Sequence, residues 1–524
     1  MTGIDTPIYP LKDIDGKRRY AASDRAEILA EHLERQFTPN PPNMTNTNVV
    51  DHHKEIKSII QAFNTTQFSQ LRCEDMITPL ELRKTIQRLP KRKAPGKDEI
   101  TNATLTKLPK NCIQAITTLY NGILQTGHFP EAWKQGRVIV IPKPGKDKRL
   151  PSSYRPITLL SHVAKLFERL LLRRLVPHLP LREEQFDMEK AFDRVWHEGL
   201  LAKLIRTTTP PAIIKIIASF LKGRSFYVSL EGADSQPRLI QAGVPQGSCL
   251  SPLLYAAYTD DIPTLRDHLR EGEKDVMLAL YADDSAYFAS SYHQIVATNQ
   301  MQRLLDLLPE WLDRWRMAVN VGKTAALLTG GARPLRQLTL RGQDVEWKTS
   351  VRYLGCHFDR RLRMIPTVDQ MVHQAAAARS KLHSLLTSRL PLRLKLKIYG
   401  AYVRSRLTYA APAWYALCSA NQAQRMQIQQ NRCLRLIVGA PRYVKNDVIH
   451  KDTKMPTVEE YVRRLARTMF ARADNSACTQ LHGIAPLHAR PPEGRPLPRE
   501  LLLSTSGPNT DIDDNENQEE EDAE

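Results

Sequence analysis

The stretch LALYADDSAYFA, residues 278–289, sets two neighbouring carboxylates, Asp283 and Asp284, inside an apolar run. Carboxylates crowded together away from water repel each other, and a divalent cation offsets that repulsion. Magnesium favours one or two protein carboxylates together with phosphate oxygens, and two such ions can clamp an in-line phosphoryl transfer. That chemistry asks for a third carboxylate, and DMEKAFDRVW (187–196) offers Asp187 ahead of an apolar face. Between them lies AGVPQGSCLSPLLY (242–255). Its Gly243 and Gly247 permit close backbone approach, and Gln246 offers amide hydrogen bonds. Each stretch also has a plainer meaning: Asp-Asp as turn chemistry, and the glycine-bearing stretch as a tight turn before a buried helix.

The elements that must position these residues are partly legible. Leu278 to Tyr281 and Ala286 to Ala289 are short strand candidates, so the aspartates fall at the junction of a predicted β-hairpin. Adjacent side chains of a regular strand point to opposite faces, and only near a turn do both approach one site. Upstream, ITPLELRKTIQRLP (77–90) predicts a helix with Thr78 as N-cap, Pro79 in the first turn, Glu81 completing a capping box, and an Ile77–Leu82 staple. Two basic loops follow, KRKAPGKDEI (91–100) and PKPGKDKRLPSSYRPI (142–157), the second after the strand-like RVIVI (137–141). Such loops suit either surface decoration or phosphate contact. Apolar spacing predicts helices over 163–179 and 190–205, the latter with Gly199 as a tolerated flaw, and several basic amphipathic helices from about 365 onward. Residues 480–524, rich in proline and then acidic, read as a disordered tail.

Composition narrows the partners. The 524 residues carry a formal charge of +19, yet the last fourteen hold nine acids and no base, so the rest of the chain stands nine higher, at +28. A body that basic favours a polyanion, with nucleic acid ahead of an anionic membrane surface. Seven cysteines (Cys73, Cys112, Cys249, Cys356, Cys418, Cys433, Cys478) form no C-x-x-C pair, which argues for reduced thiols and against a structural zinc site. No apolar run reaches membrane-spanning length and no signal peptide precedes residue 20, so the expectation is a soluble protein of the cytoplasm or nucleus, not secreted.

Taken in order and spacing, DMEKAFDRVW, AGVPQGSCLSPLL and YADD resemble the three central palm motifs of reverse transcriptases, and their details are similar to those of non-LTR (LINE-type) retrotransposons, the jockey-like elements above all. KAPGKDEI and VIVIPKPGKD with SYRPITLLSHVAKLFERLL resemble the fingers motifs. RWRMAVNVGKT and VRYLGCHFD resemble the motifs after the catalytic hairpin, and SRLTYAAPAWY and QIQQNRCLRLIVGAPRYVKNDVIHKDT the thumb and its sequel. The resemblance implies an α+β right-hand polymerase with a small antiparallel palm sheet and a helical thumb. Its expected parts are an N-terminal extension (1–75), fingers (76–186), palm (187–362), thumb with the following region (363–479) and tail (480–524).

The resemblance also implies roles. Asp187, Asp283 and Asp284 would hold two magnesium ions for nucleotidyl transfer onto a primer 3′-hydroxyl. Phe192 matches the aromatic that excludes a ribose 2′-hydroxyl, and Gln246 and Gly247 match positions lining the nucleotide and template. Arg155 matches a fingers arginine that grips the triphosphate, with Lys143 a second cation beside it, and Lys323 matches a lysine that assists the leaving pyrophosphate. The implied partners are an RNA template, a DNA primer or target, and deoxynucleoside triphosphates; no membrane and no oligomeric state is implied.

One departure is plain. REEQF (182–186) runs straight into Asp187, whereas the family places several dozen residues there, including the strand that delivers this aspartate; PLREEQFD contains no run of strand formers. The expectation is therefore a palm sheet incomplete beside Asp187, and an RNA-directed DNA polymerase by family whose alternative is a non-catalytic nucleic-acid-binding remnant. An unrelated two-metal phosphotransferase or cyclase would leave AGVPQGSCLSPLL without a role. An upstream endonuclease, a zinc knuckle and an RNase H-like segment are also absent from the expected layout.

Overall fold

The structure is a computed structural model that describes residues 9–66, 72–90, 92–143, 145–179, 191–265, 276–281, 284–330, 334–476, 481–484 and 498–502. Helices and sheets are mixed along the chain, which divides into two compact units between Asn320 and Val321. The expected palm, 187–362, thus draws residues from both units.

In the first unit the β-branched run of Gln135–Pro142 forms a central strand of the largest sheet. Tyr154–Leu159 runs antiparallel on one side, with Ile139 opposite Ile157, and Ser225–Leu230 runs parallel on the other, with Gly136 opposite Phe226. This sheet is mixed rather than purely antiparallel. The helix Ala22–Gln36 covers one face through Leu29, Ala30 and Leu33, which cluster with Phe37, Val138, Phe226 and Val228.

The helix Pro79–Gln87 starts as its sequence requires: Thr78 Oγ1 accepts the Glu81 N–H at 3.2 Å, and Ile77 and Leu82 are buried. The capping box is not completed. Glu81 instead accepts a forked pair of bonds from Arg174 at 3.0 and 3.2 Å, fastening this helix to His162–Leu175. A bidentate, charge-assisted pair is the stronger use of that carboxylate.

Met277–Tyr281 and Asp284–Phe288 pair antiparallel, with Tyr281 opposite Asp284, so the predicted hairpin forms with its second strand starting two residues earlier than expected. Val276 and Leu278 are buried, and Val276 packs in a small cluster with Leu265 and Leu304. Among the described residues no further strand joins this hairpin. The predicted gap beside Asp187 falls in 180–190, outside the described residues.

The second unit opens with a small sheet in which Gln343–Trp347 pairs with Ala325–Ala326 and Leu338–Leu340. A tight hairpin, Ser350–Tyr353 with Cys356–Asp359, turns through Leu354 and Gly355, both at positive φ. The helices Ile365–Lys381, Ala420–Val438 and Val458–Asp474 bury Met371, Met426, Leu434 and Val462 in a core that also holds Trp414. Complete capping boxes, Ser419 with Gln422 and Thr457 with Glu460, start the last two.

Among the described residues no helix is long and apolar enough to cross a membrane.

Candidate active site

The stretch after Asp187 and the glycine-bearing stretch are bound to each other by their backbones. Val244 N–H donates to Phe192 O at 2.6 Å and Gly243 N–H to Val195 O at 2.9 Å, while His197 Nε2 lies 2.8 Å from Gly243 O. Gln246 adds a side-chain bond, its Nε2 donating to Asp193 Oδ1 at 2.7 Å. Such closeness demands glycine: Gly243 has φ +92°, and a Cβ there would sit 2.6 Å from Asp193 O. At Gly247, also φ +92°, a Cβ would meet Thr158 O at 3.0 Å, so the turn also lies against the Tyr154–Leu159 strand.

This pairing overturns the predicted continuous helix over 190–205. A 3₁₀ turn, Ala191–Asp193, precedes a helix that starts only at His197, because the Phe192 and Val195 carbonyls serve Val244 and Gly243. Gly199 is no flaw. A Cβ there would lie 2.6 Å from the Trp196 ring, which folds back over the helix's first turn.

Behind the turn sits Glu168, on the buried side of His162–Leu175. Its Oε2 accepts the Ser248 hydroxyl at 2.5 Å and the Cys249 N–H at 2.6 Å, with Leu250 N–H at 3.4 Å. Burial pushes this carboxyl upward against the opposing pull of those donors and of the buried Arg224 guanidinium, which burial in turn lowers to about 10. The carboxylate thus satisfies N–H groups just ahead of the helix Ser251–Thr259, where no intrahelical partner exists.

Phe192 is half-buried and packs on Tyr255 with ring centroids 4.7 Å apart. A narrow pocket beside it is lined by Gly136, Thr158, Arg224, Gly243, Val244 and Gln246. Arg155 lies exposed on Tyr154–Leu159, opposite Ile141. Lys143 holds its own loop, donating through Nζ to Ser152 O at 2.9 Å and through its N–H to Ser153 O at 2.7 Å. Lys323 is exposed in the 3₁₀ turn Val321–Lys323 that opens the second unit. Asp187 and Asp283 lie outside the described residues, and Asp284 begins the second hairpin strand.

Of the predicted site, then, the segment that carries Phe192 and the turn that carries Gln246 and Gly247 are bonded to each other. Sequence reasoning missed Glu168, Asp193, His197 and Arg224. For Glu168 a signal existed: it occupies a core position in the stripe Ala164, Leu171, Leu175, where an acid demands partners. Among the described residues no three His, Cys, Asp or Glu side chains could hold a metal; the side chains of all three expected ligands are outside that set.

A mixed helix and sheet fold, with a hairpin whose second strand begins at Asp284 and a Gln-Gly turn bonded to Phe192–Val195, is consistent with a reverse transcriptase domain. Residues 184–358 match the family model described as reverse transcriptase (RNA-dependent DNA polymerase). The RNA-directed DNA polymerase from mobile element jockey of Drosophila funebris is 30% identical over 535 residues, covering 94% of this chain and 57% of that protein. From Drosophila melanogaster, the probable RNA-directed DNA polymerase from transposon X-element is 32% identical (94% and 57%), and that from transposon BS is 31% identical (87% and 54%). The chain carries a reverse transcriptase domain and, over most of its length, is similar to the RNA-directed DNA polymerases of non-LTR retrotransposons. It spans little more than half the length of these relatives.

Proposed function

We propose that this chain is the polymerase region of such an element and extends a DNA primer with deoxynucleotides on an RNA template. The observation that supports the reading is the bond network joining Phe192–Val195 to Gly243–Gln246, the two segments that carry Phe192, Gln246 and Gly247 or adjoin them. In this reading the fold is a right hand, with fingers over 76–186, palm over 187–362 and thumb within 363–479. Asp187, Asp283 and Asp284 would hold two magnesium ions, which supply activation of the primer hydroxyl and neutralisation of triphosphate charge. Phe192 closes the space a ribose 2′-hydroxyl would need. Gln246 and Gly247 line the nucleotide and template, Arg155 and Lys143 bear on the triphosphate, and Lys323 assists the leaving pyrophosphate. The protein acts in the cytoplasm or nucleus.

A second reading, a remnant that binds nucleic acid without incorporation, is favoured by REEQF running directly into Asp187. It is also supported by an aligned length of 535 residues against a chain of 524, which leaves positions of the jockey relative with no counterpart here. A misplacement of about 1 Å costs on the order of a hundredfold in rate, so a lost strand would silence the site.

Primer extension on an RNA template with deoxynucleotides and magnesium separates the two. Extension by the parent chain and none by Asp283→Ala establishes the polymerase. Absence of extension by either, with template still bound in a salt-sensitive way, establishes the remnant.

A further inference from the structure

The second unit contains a pocket of another kind. It lies between the last turns of Ala420–Val438 and the loop leading into Asn446–Thr453, and is lined by Ile428, Asn431, Arg432, Arg435, Arg442 and Asn446. Arg435 is its scaffold. Its guanidinium donates to Pro441 O at 2.6 Å, to Val444 O at 2.8 Å and to Asn446 Oδ1 at 2.8 Å, which fixes the course of the 439–446 loop. Asn431 Oδ1 is likewise occupied, accepting from Gln427 Nε2 at 2.8 Å and lying 2.8 Å from His450 Nε2.

The consequence is a pocket whose remaining polar side-chain groups only donate. The amide oxygens of Asn431 and Asn446 face protein partners, which leaves their NH₂ groups. Arg432 and Arg442 are exposed and have no hydrogen-bond or ion-pair partner among the described residues. Next to Arg442, the Tyr443 ring is 87% exposed, a large aromatic surface left in water. The Asn446–Thr453 helix, whose first residue lines the pocket, adds an N-terminus without a side-chain cap; Asp447 is the acid in that first turn.

Donors without acceptors suit an anion, guanidinium forks suit a phosphodiester, and an adjacent exposed aromatic suits a base. We propose that this pocket is a single-stranded nucleic-acid site, in which Arg432, Arg442 and the two asparagine amides hold a backbone phosphate and Tyr443 stacks a base. RNA and single-stranded DNA share that chemistry. The proposal rests on the reading that the chain handles nucleic acid, not on its being catalytically competent.

The test is fluorescence anisotropy of labelled single-stranded RNA and DNA oligonucleotides with the full chain, in EDTA, across a salt series. The double variant R432A/R442A is compared with R467A/R472A, which removes equal charge from exposed positions of Val458–Asp474. The pocket variant is expected to bind about tenfold more weakly, with a salt slope lower by about 1 to 2, while the control variant changes little. Tyr443→Ala should weaken binding at unchanged salt slope, because stacking releases no counterions. Loss on RNA alone, DNA alone or both names the source of the strand. Equal weakening by both double variants, or none by either, overturns the site. So does a loss confined to anionic-lipid vesicles. Absence of primer extension together with the pocket-specific loss would sink the polymerase reading and leave this site standing.

Discussion

Glu168 and Ser248, eighty residues apart in the chain, meet inside the protein through a 2.5 Å hydrogen bond in which the serine hydroxyl donates to the buried carboxylate. The same oxygen takes the Cys249 N–H, so one side chain of the helix His162–Leu175 fixes the turn that carries Gln246 and Gly247. A turn held from behind presents its front face in one geometry, which a nucleotide or template contact needs.

Replacing Glu168 with alanine removes the acceptor and leaves the Ser248 hydroxyl, two N–H groups and the Arg224 charge uncompensated in the core. A loss of about 3 to 5 kcal/mol is expected in urea unfolding. Glu168→Gln keeps an acceptor oxygen and should lose clearly less; equal losses would show that shape, not hydrogen bonding, matters there.

Gly243→Ala tests the joint between the two motif segments. The added Cβ meets backbone at 2.6 Å in a left-handed conformation, and backbone cannot swing aside as a flexible side chain can. The expected cost is about 2 to 4 kcal/mol. Gly247→Ala, with 3.0 Å to Thr158 O, should cost less in the same denaturant series. The reverse ranking would contradict the geometry.

Gly199→Ala sets helix propensity against packing. Alanine favours a helix by about 1 kcal/mol over glycine, yet its Cβ would press on the Trp196 ring, itself wedged by His53 at 5.1 Å and Arg316 at 4.3 Å. Net destabilisation of about 1 to 3 kcal/mol is expected from overpacking. A rise in Tm for Gly199→Ala would show that Trp196 has room to move.

Acid should weaken the first unit before its carboxylates titrate. Burial, reinforced by the Arg314 charge and partly opposed by Glu55, lowers His52 to about 4, and burial also lowers His53, His162 and His197. Between 6.5 and 4 the unfolded chain therefore binds more protons than the folded one, so stability is complete above about 6.5 and is lost as pH falls toward 4. Thermal unfolding from pH 7.5 to 4.5 should trace that loss, and His52→Gln should flatten the slope. A Tm independent of pH over this range would mean these imidazoles are solvated.

Local chemistry was enough for the sequence to determine the Thr78-capped helix, the RVIVI strand, the hairpin that brackets the two aspartates and the order of motifs that names the family. Those features depend on residues within a few positions of one another, where side-chain period and capping act directly. Tertiary structure alone decided that 190–205 breaks at 194–196, since the Phe192 and Val195 carbonyls are needed by a loop about fifty residues later. It decided too that Gly199 accommodates a ring and that Glu81 serves Arg174 rather than its own N-cap. Periodicity marked Glu168 as misplaced but could not supply its partner. Hydrogen-bond partners distant in sequence are chosen by packing, and packing exists only once the chain has folded.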